Sequence, residues 1–278
     1  MYLIDPQFAT AGFLVGALIG VTGVGGGSLM TPILVLLFGV APATAVGTDL
    51  LFAAATKTVG SFVHGFNRTI EWRIVARLAA GSIPATVAAL GVLWALNMGT
   101  GGARQVITGV LSVTLLLTAV ALIARQKIFA LYADRLAKLD THSVGVTTVC
   151  VGAILGVLVT FSSVGAGAIG LTALVLLYPR VTMARLVGCD IAHAVPLTLI
   201  AGLGHGAMGS VDLHTLLCLL AGSIPGVFAG SSLSARIPDI GLRYVLALVL
   251  FLVGAKFAMD MTLHSSPNVA AAVSAPTH

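Results

Sequence analysis

The fold is decided by the stretch Gly20-Val21-Thr22-Gly23-Val24-Gly25-Gly26-Gly27-Ser28, which interrupts a hydrophobic run from Phe8 to Phe38. Each of three consecutive glycines costs about 1 kcal/mol inside a helix, so the helix is predicted to open here. Ser28 is expected to N-cap a second helix over residues 29–38. Inside a bilayer an opened backbone is tolerated only where protein or a watery cavity covers it. The break therefore predicts a helix start whose free N–H groups face a ligand.

A second break of the same kind lies in the other half of the chain. It reads Phe161-Ser162-Ser163-Val164-Gly165-Ala166-Gly167. Interrupted hydrophobic segments at corresponding positions of two halves are the best sequence indication of a transporter's binding site.

Composition places the chain in the membrane. Of its 278 residues 58% are hydrophobic and only 8% are charged, against about 25% charged residues in soluble domains, and the mean hydropathy is +1.08. We therefore expect an all-α, polytopic helical membrane protein. The net charge of +5 is not interpreted as a nucleic-acid signal, and the three cysteines have neither a disulfide pattern nor metal-ligand spacing, so no cofactor is expected.

Several apolar segments reach the ~20 residues needed to span a bilayer. Helices are predicted over residues 8–24, 29–38, 43–64, 72–96, 104–124, 143–160, 171–178, 184–209, 213–234 and 242–259. The predicted domains are a first membrane repeat (1–124), a cytoplasmic basic connecting loop (125–142), a second membrane repeat (143–262) and a disordered tail (263–278). The connecting loop contains an amphipathic patch, 128–136, that is expected on the membrane surface.

The two halves repeat each other. Val24-Gly25-Gly26-Gly27 matches Val164-Gly165-Ala166-Gly167 at an offset of 140, and Gly47-Thr48-Asp49 matches Gly188-Cys189-Asp190 at an offset of 141. Three more matches follow at 141: His64-Gly65 with His205-Gly206, Ile70-Glu71 with Val211-Asp212, and Gly81-Ser82-Ile83-Pro84 with Gly222-Ser223-Ile224-Pro225. Five matches in order indicate an internal duplication.

Charge placement predicts that the repeats are inverted. Eleven of the fourteen basic residues flank four connections: Arg68, Arg73 and Arg77; Arg125, Lys127, Arg135 and Lys138; Arg180 and Arg185; and Arg236 and Arg243. Such connections are expected in the cytoplasm, yet residues 207–213, which match the Arg68 connection, contain no Lys or Arg. This requires each glycine-broken segment to be a hairpin that returns to the side it came from. The prediction is two hairpins plus six spanning helices, about eight spans by hydropathy, with both termini outside.

These motifs carry a family resemblance. Gly-Val-Gly-Gly-Gly-Ser-Leu-Met-Thr-Pro-Ile-Leu at 23–34, Ala-Val-Gly-Thr-Asp-Leu at 45–50, Val63-His64 leading to Ile70-Glu71-Trp72, and Gly-Ser-Ile-Pro at 81–84 resemble the sulfite exporter TauE/SafE family, or TSUP superfamily, over about residues 8–260. The resemblance implies a multi-pass transporter in the bacterial inner membrane for small sulfur-containing anions: sulfite, sulfoacetate or other organosulfonates. Export is usual in the family, and import is also proposed. The chain departs at Asp49 and Asp190, where a small polar residue is commoner.

Ionisable residues inside spanning helices cost at least ~2.5 kcal/mol, so a functional role is expected for them. Asp49 and Asp190 are predicted to exchange protons, with His193, one turn from Asp190, as a relay. The alternative is that the aspartates hydrogen-bond across helices for packing. Lys57 is expected to pair with Asp49 or to neutralise an anionic substrate. The predicted substrate-binding residues are Gly25, Gly26, Gly27, Ser28, Thr48, Lys57, Ser162, Ser163, Gly165, Gly167 and Cys189, and the predicted gates are His64 and His205; no metal ligands are expected.

The resulting hypothesis is a secondary transporter rather than an enzyme, with rocking of one repeat against the other. Its partners are the bilayer and a small sulfur-containing anion, with no nucleic acid; homo-oligomerisation stays open. An anion channel and an importer are the alternatives. An intramembrane aspartyl protease is disfavoured because its Gly-x-Gly-Asp signature is incomplete here, where Val46-Gly47-Thr48-Asp49 lacks the first glycine.

Overall fold

The fold is a bundle of helices. A computed structural model of the chain describes residues 5–22, 27–66, 68–99, 103–136, 140–165, 167–233 and 239–264. Over these ranges the chain forms ten α-helices and no strand. The helices are α1 Pro6–Thr22, α2 Gly27–Leu36, α3 Pro42–Phe66, α4 Trp72–Gly99, α5 Ala103–Leu136, α6 Thr141–Ser162, α7 Ala168–Leu177, α8 Met183–Ala207, α9 Leu213–Leu233 and α10 Asp239–His264.

The two breaks separate short helices from longer ones, as the glycines predict. In each of the two helix pairs, α1–α2 and α6–α7, the ends that lie away from the break contact each other. The rings of Phe8, in α1, and Phe38, just after α2, stack with their centroids 4.5 Å apart. In the other half, Thr148 Oγ1 of α6 and the hydroxyl of Tyr178, just after α7, lie 2.8 Å apart. Each pair is therefore a hairpin with its break at the tip.

The hairpins pack across the sequence repeats. α1 lies against α9, and α4 lies against α6, both with close backbone approach at glycines. A Cβ on Gly222 would lie 1.8 Å from the Ala9 carbonyl oxygen, and a Cβ on Gly81 would lie 1.9 Å from the Val149 carbonyl oxygen. These contacts are equivalent under exchange of the halves. Small residues at such positions let helix backbones meet inside a membrane, so each half contributes a helix to the other.

The central pair, α3 and α8, shows how the halves are related. Gly47 at the start of α3 faces Ser210, just beyond the end of α8, whereas Gly60 faces Ile191 near the start of α8. The two helices are therefore antiparallel. Because α3 and α8 are sequence equivalents, the two-fold axis that exchanges them must lie perpendicular to both. The repeats are inverted, as the charge placement predicts.

The lengths and the apolar surfaces of the helices are those of membrane-spanning segments. Among the described residues, five helices (α4, α5, α6, α8 and α9) are long and apolar enough to cross a membrane, and α1, α7 and α10 contain shorter apolar stretches. Large apolar side chains such as Leu14, Phe62 and Phe228 are exposed on the outer surface, where lipid would contact them. The protein is an all-α, multi-pass membrane protein.

Three local predictions are wrong. α5 continues to Leu136, so residues 125–136 are part of a helix and not a loop with a separate surface segment; they contain no Gly or Pro to end it. The helix is about 51 Å long at 1.5 Å per residue, more than the ~30 Å hydrocarbon core. Ser28 does not cap α2, because α2 begins at Gly27. α7 begins three residues earlier than predicted. The other domain limits stay predictions, and the tail from residue 265 lies outside the described residues.

Candidate functional site

The first half of the site is Asp49, on α3, beside the start of α2. The side chain is fully buried. The backbone N–H and the hydroxyl of Thr31 both donate to Asp49 Oδ2, at 3.1 and 2.5 Å. Because α2 starts at the glycine break, the break is what brings this N–H to the carboxyl group. Asp49 is thus anchored within its own repeat.

The second break reaches the same carboxyl group from the other side. Ser163 caps the end of α6 with φ 58°, a left-handed conformation that is uncommon for a residue with a side chain. Its hydroxyl approaches the Asp49 carboxyl group. Within the described residues, however, neither Asp49 Oδ1 nor Ser163 Oγ has a hydrogen-bond partner. The site therefore has two neighbouring buried polar atoms, Asp49 Oδ1 and Ser163 Oγ, that do not reach hydrogen-bonding geometry with each other.

Asp190, the equivalent of Asp49 on α8, lies in a different environment. It is 2% exposed, and its Oδ1 lacks a hydrogen-bond partner in the described part of the chain. α7 approaches closely: a Cβ on Gly170 would lie 2.6 Å from Asp190 Oδ1. The second break thus places a helix start beside its aspartate, as the first one does, but the hydroxyl of Thr172 on α7 donates to the Ala168 carbonyl oxygen instead.

His193 lies one turn beyond Asp190 and is fully buried. Its Nε2 is 2.8 Å from the hydroxyl of Ser82 on α4, while its Nδ1 has no partner among the described residues. The histidine therefore joins α8 to α4 on one side and presents an unpaired nitrogen on the other.

Lys57 lies two turns beyond Asp49 on α3 and is half-buried. Its ammonium interacts electrostatically with both aspartates, and more strongly with Asp190 than with Asp49. Within the described residues it closes no ion pair with either. The predicted Lys57–Asp49 ion pair is thus not formed among the described residues, and the ammonium lies within electrostatic range of both aspartates.

Four other predicted residues lie away from this cluster and tie helix ends together. Thr48 Oγ1 accepts the Asp212 N–H at 3.1 Å, and Cys189 Sγ accepts the Glu71 N–H at 3.2 Å. The predicted gates also make protein contacts: His64 Nδ1 lies 2.8 Å from Thr69 Oγ1, and His205 Nε2 lies 3.0 Å from the Thr160 carbonyl oxygen.

The break residues themselves are only partly described. Gly25 and Gly26 lie outside the described residues. Gly27 starts α2, and Gly167 is the N-cap of α7 without a side-chain hydrogen bond. Gly165 has φ +111°, which side-chain-bearing residues rarely adopt. The Ser162 hydroxyl donates back to the Leu158 carbonyl oxygen at 2.6 Å, so it serves the end of α6.

Sequence reasoning missed two members of the cluster, Thr31 and Ser82. The sequence contains a feature that could have indicated each of these two residues. Thr31 lies four residues after the glycine run, where a helix start needs hydroxyl or carboxyl partners. Ser82 belongs to the Gly-Ser-Ile-Pro motif, which is repeated at 222–225.

The chemistry of the cluster follows from its charges. It contains two carboxyl groups, each beside the start of a helix, and one ammonium that interacts electrostatically with both. Among the described residues, no group of three His, Cys, Asp or Glu side chains could hold a metal ion. The arrangement can bind a small anion near Lys57 and can take up a proton on a carboxyl group.

Known proteins match almost the whole chain. The sequence model of the family described as sulfite exporter TauE/SafE matches residues 8–257. The probable membrane transporter protein YjnA of Bacillus subtilis (strain 168) is 36% identical over 251 residues, covering 88% of this chain and 96% of that protein. The probable membrane transporter protein YdhB of the same organism is 26% identical over 243 residues, covering 87% and 95%. No solved structure matches.

The broken hairpins, the inverted packing and the length of these matches agree with one another, and the chain belongs to the sulfite exporter TauE/SafE family of membrane transporters.

Proposed function

We propose that the protein is a secondary transporter of small sulfur-containing anions, such as sulfite or sulfoacetate, in the bacterial inner membrane, and that it works chiefly as an exporter. The family description, sulfite exporter TauE/SafE, supports this substrate class. The names of the Bacillus relatives support membrane transport. The coupling ion in this proposal is the proton.

The observation that carries the proposal is the set of buried polar atoms without partners. Asp49 Oδ1, Asp190 Oδ1 and Ser163 Oγ are all buried and unpaired within the described residues. A buried polar group without a hydrogen bond costs roughly 2–7 kcal/mol. Packing across helices accounts for Asp49 Oδ2, which Thr31 of α2 already pairs, but it leaves Oδ1 of both aspartates without a role. A site that binds a ligand and a proton in turn explains why these atoms are left open.

The charges suggest how the two ligands are coupled. With both aspartates ionised, the two carboxylates and the Lys57 ammonium together carry a net charge of about −1. The cluster then repels an anion. Protonation of Asp190 leaves the Asp49 carboxylate and the Lys57 ammonium, which balance. Anion and proton then bind together and cross together. Export follows when the internal concentration of the anion outweighs the opposing proton gradient, and import follows in the reverse case.

Alternating access would expose this cluster to each side in turn. The inverted repeats offer two similar routes to the cluster, one past each hairpin. The Phe8–Phe38 stack and the Thr148–Tyr178 contact hold the outer ends of the hairpins. The movement would therefore occur around hairpins that stay intact.

The test is counterflow in proteoliposomes loaded with sulfite, sulfoacetate, thiosulfate or sulfate. We expect exchange of radiolabelled sulfite and sulfoacetate by the wild type, and exchange without net pH dependence by Asp190→Asn. Asp140→Asn, at an exposed position, is the matched control and should behave as wild type. Steady electrical currents without counterflow would support a channel, and no exchange of any sulfur anion would overturn the proposed substrate class.

A further inference from the structure

An aromatic groove lies on the outer surface at one end of α3. It has a volume of about 500 Å³, within the ~300–1,000 Å³ of ordinary ligand pockets. Phe62 and Phe66 of α3, Ile70, Trp72 of α4 and Val195 of α8 line it, together with two hydroxyl residues of α3.

The lining is unusually exposed for aromatic side chains. Phe62 is 65% exposed, Phe66 is 85% exposed and Trp72 is 66% exposed. Tryptophan is enriched where a membrane protein meets the headgroups, and this groove lies where α3 ends and α4 begins. The groove therefore opens toward the boundary between acyl chains and headgroups.

Unpaired positive charge flanks the groove. Arg68 lies in sequence between the lining residues Phe66 and Ile70, Arg73 directly follows Trp72, and both arginines are exposed. The nearby acid, Glu71, is ion-paired with Arg185 and so does not cancel them. In the part of the chain that the structure describes, neither Arg68 nor Arg73 forms an ion pair.

The inverted repeat provides an internal comparison. At an offset of 141, Phe62, Phe66 and Trp72 correspond to Leu203, Ala207 and Leu213. Arg68 and Arg73 correspond to Gly209 and His214. The fold is shared, but the aromatic and cationic side chains occur in one half alone. Since the halves point in opposite directions, these features belong to one leaflet of the membrane.

We propose that this groove binds one anionic phospholipid, with an acyl chain against Phe62, Phe66 and Trp72 and the phosphate at Arg68 and Arg73. An apolar groove that opens into a bilayer is filled by acyl chains. Basic residues at the headgroup level favour anionic lipids. The two features together select a lipid over a soluble anion, which could use the arginines but not the aromatic lining. No residue of the aspartate cluster lines the groove, and the proposal does not depend on the proposed substrate.

The test compares dioleoyl phosphatidylglycerol with dioleoyl phosphatidylcholine, titrated onto the purified full-length protein. Lipid retention is measured by native mass spectrometry, and the thermal unfolding midpoint is followed in parallel. We expect phosphatidylglycerol to bind about tenfold more tightly than phosphatidylcholine, as two arginines near a phosphate allow. Free glycerol phosphate should bind to no measurable extent.

Substitutions test whether the lipid binds in this groove. R68Q/R73Q should lose the preference for phosphatidylglycerol, and R68K/R73K should keep most of it. F66A/W72A should weaken binding of both lipids. L213A/H214Q, the matched change in the other half, should leave both unchanged. If the double variants fail to fold, R68Q and R73Q singly should each lose part of the preference. Equal binding of the two lipids by wild type, or an unchanged preference in the arginine variants, would overturn the proposal.

Discussion

The helices α3 and α8 share one backbone arrangement but differ in their polar chemistry. Gly47 and Gly188 sit at matching places in the crossing, each against the far end of the other helix. Asp49 receives two hydrogen bonds from Thr31, whereas Asp190 Oδ1 receives none within the described residues. Both aspartates therefore have an unpaired Oδ1 within the described residues, and the Thr31 hydrogen bonds to Asp49 Oδ2 are what distinguishes the two carboxyl groups.

Further along the two helices the differences continue. Lys57 of α3 corresponds to Thr198 of α8, and His193 of α8 corresponds to Phe52 of α3. In the proposed mechanism, the symmetric backbone provides similar routes from both sides of the membrane. Unequal side chains let the two aspartates perform different tasks, and we infer that Asp190 carries the proton. The following predictions test this division of labour.

The largest effect is expected at the second break. Gly165→Leu should abolish transport, because a side chain at φ +111° costs roughly 1–3 kcal/mol and displaces the start of α7. Gly91→Leu is the control, because a Cβ there meets nothing within 4 Å. Both are measured by counterflow, with membrane expression checked by size-exclusion chromatography. Near-normal transport by Gly165→Leu would show that the break only helps packing.

Next come the aspartates, for which unequal effects are expected. Asp190→Asn should remove the dependence of transport on a pH gradient but retain exchange of substrate for substrate, because the site then stays neutral. Asp49→Asn should weaken substrate binding or folding and leave pH dependence largely intact, because Thr31 already satisfies Oδ2. Counterflow and pH-jump transport in one lipid mixture measure both.

Each of the two variants replaces one carboxyl oxygen of an aspartate with an amide nitrogen and keeps the size of the side chain, so a change in transport reports the loss of the titratable group. Equal retention of pH-driven transport by both would remove the aspartates from coupling and return them to packing. Loss of pH dependence in Asp49→Asn alone would reverse the assignment and make Asp49 the proton carrier.

Much of the fold could be predicted from sequence, for definite physical reasons. The glycine runs mark the breaks because three glycines cannot continue a helix cheaply. The duplication and the loop charges predict the inverted crossing of α3 and α8. The end of α5 was not predictable in this way: basic residues at 125–136 indicate the aqueous side of the membrane, but they do not end a helix.

Less of the candidate site could be predicted from the sequence. Asp49, Asp190 and Lys57 stand out because charge is costly in a bilayer. A single hydroxyl in an apolar helix has the same appearance whether it packs or binds, so Thr31 and Ser82 are revealed only by their distances to Asp49 and His193. Thr48 and Cys189 lie next to the aspartates in sequence, but neighbouring helical positions face about 100° apart, and they reach the helix ends instead.

A smaller effect is expected from the contact between α4 and α8. Ser82→Ala leaves His193 Nε2 without its partner, and the loss of one such hydrogen bond costs about 1–3 kcal/mol. If His193 relays protons, Ser82→Ala should slow transport several-fold and shift its pH profile. Ser223→Ala is the control, because Ser223, the equivalent of Ser82, instead donates to the Leu220 carbonyl oxygen. A loss of thermal stability with an unchanged pH profile would make the histidine a packing residue.

The smallest effect compares the acids that precede α9 and α4. Asp212 accepts hydrogen bonds from the His214 N–H at 3.0 Å, the Thr215 N–H at 3.2 Å and the Thr215 hydroxyl at 2.7 Å. Burial alone would raise the pKa of Asp212, but these hydrogen bonds outweigh it and hold the pKa below its ordinary value. Glu71, its equivalent, forms an exposed ion pair with Arg185 instead.

The two acids should therefore respond to different conditions. A depressed pKa means that Asp212 contributes stability above the ordinary carboxyl range and loses it as pH falls below about 4. Asp212→Ala should lower the free energy of unfolding by about 1 kcal/mol at neutral pH, as for a lost helix cap, and should flatten the acid limb of a thermal-stability profile. Glu71→Gln should cost less than about 1 kcal/mol, and salt should screen that cost. Thermal unfolding at pH 3 to 7, with and without salt, separates the two. An acid limb that is unchanged in Asp212→Ala would mean that the cap adds nothing to α9, and the two helix starts would then be equivalent despite their different acids.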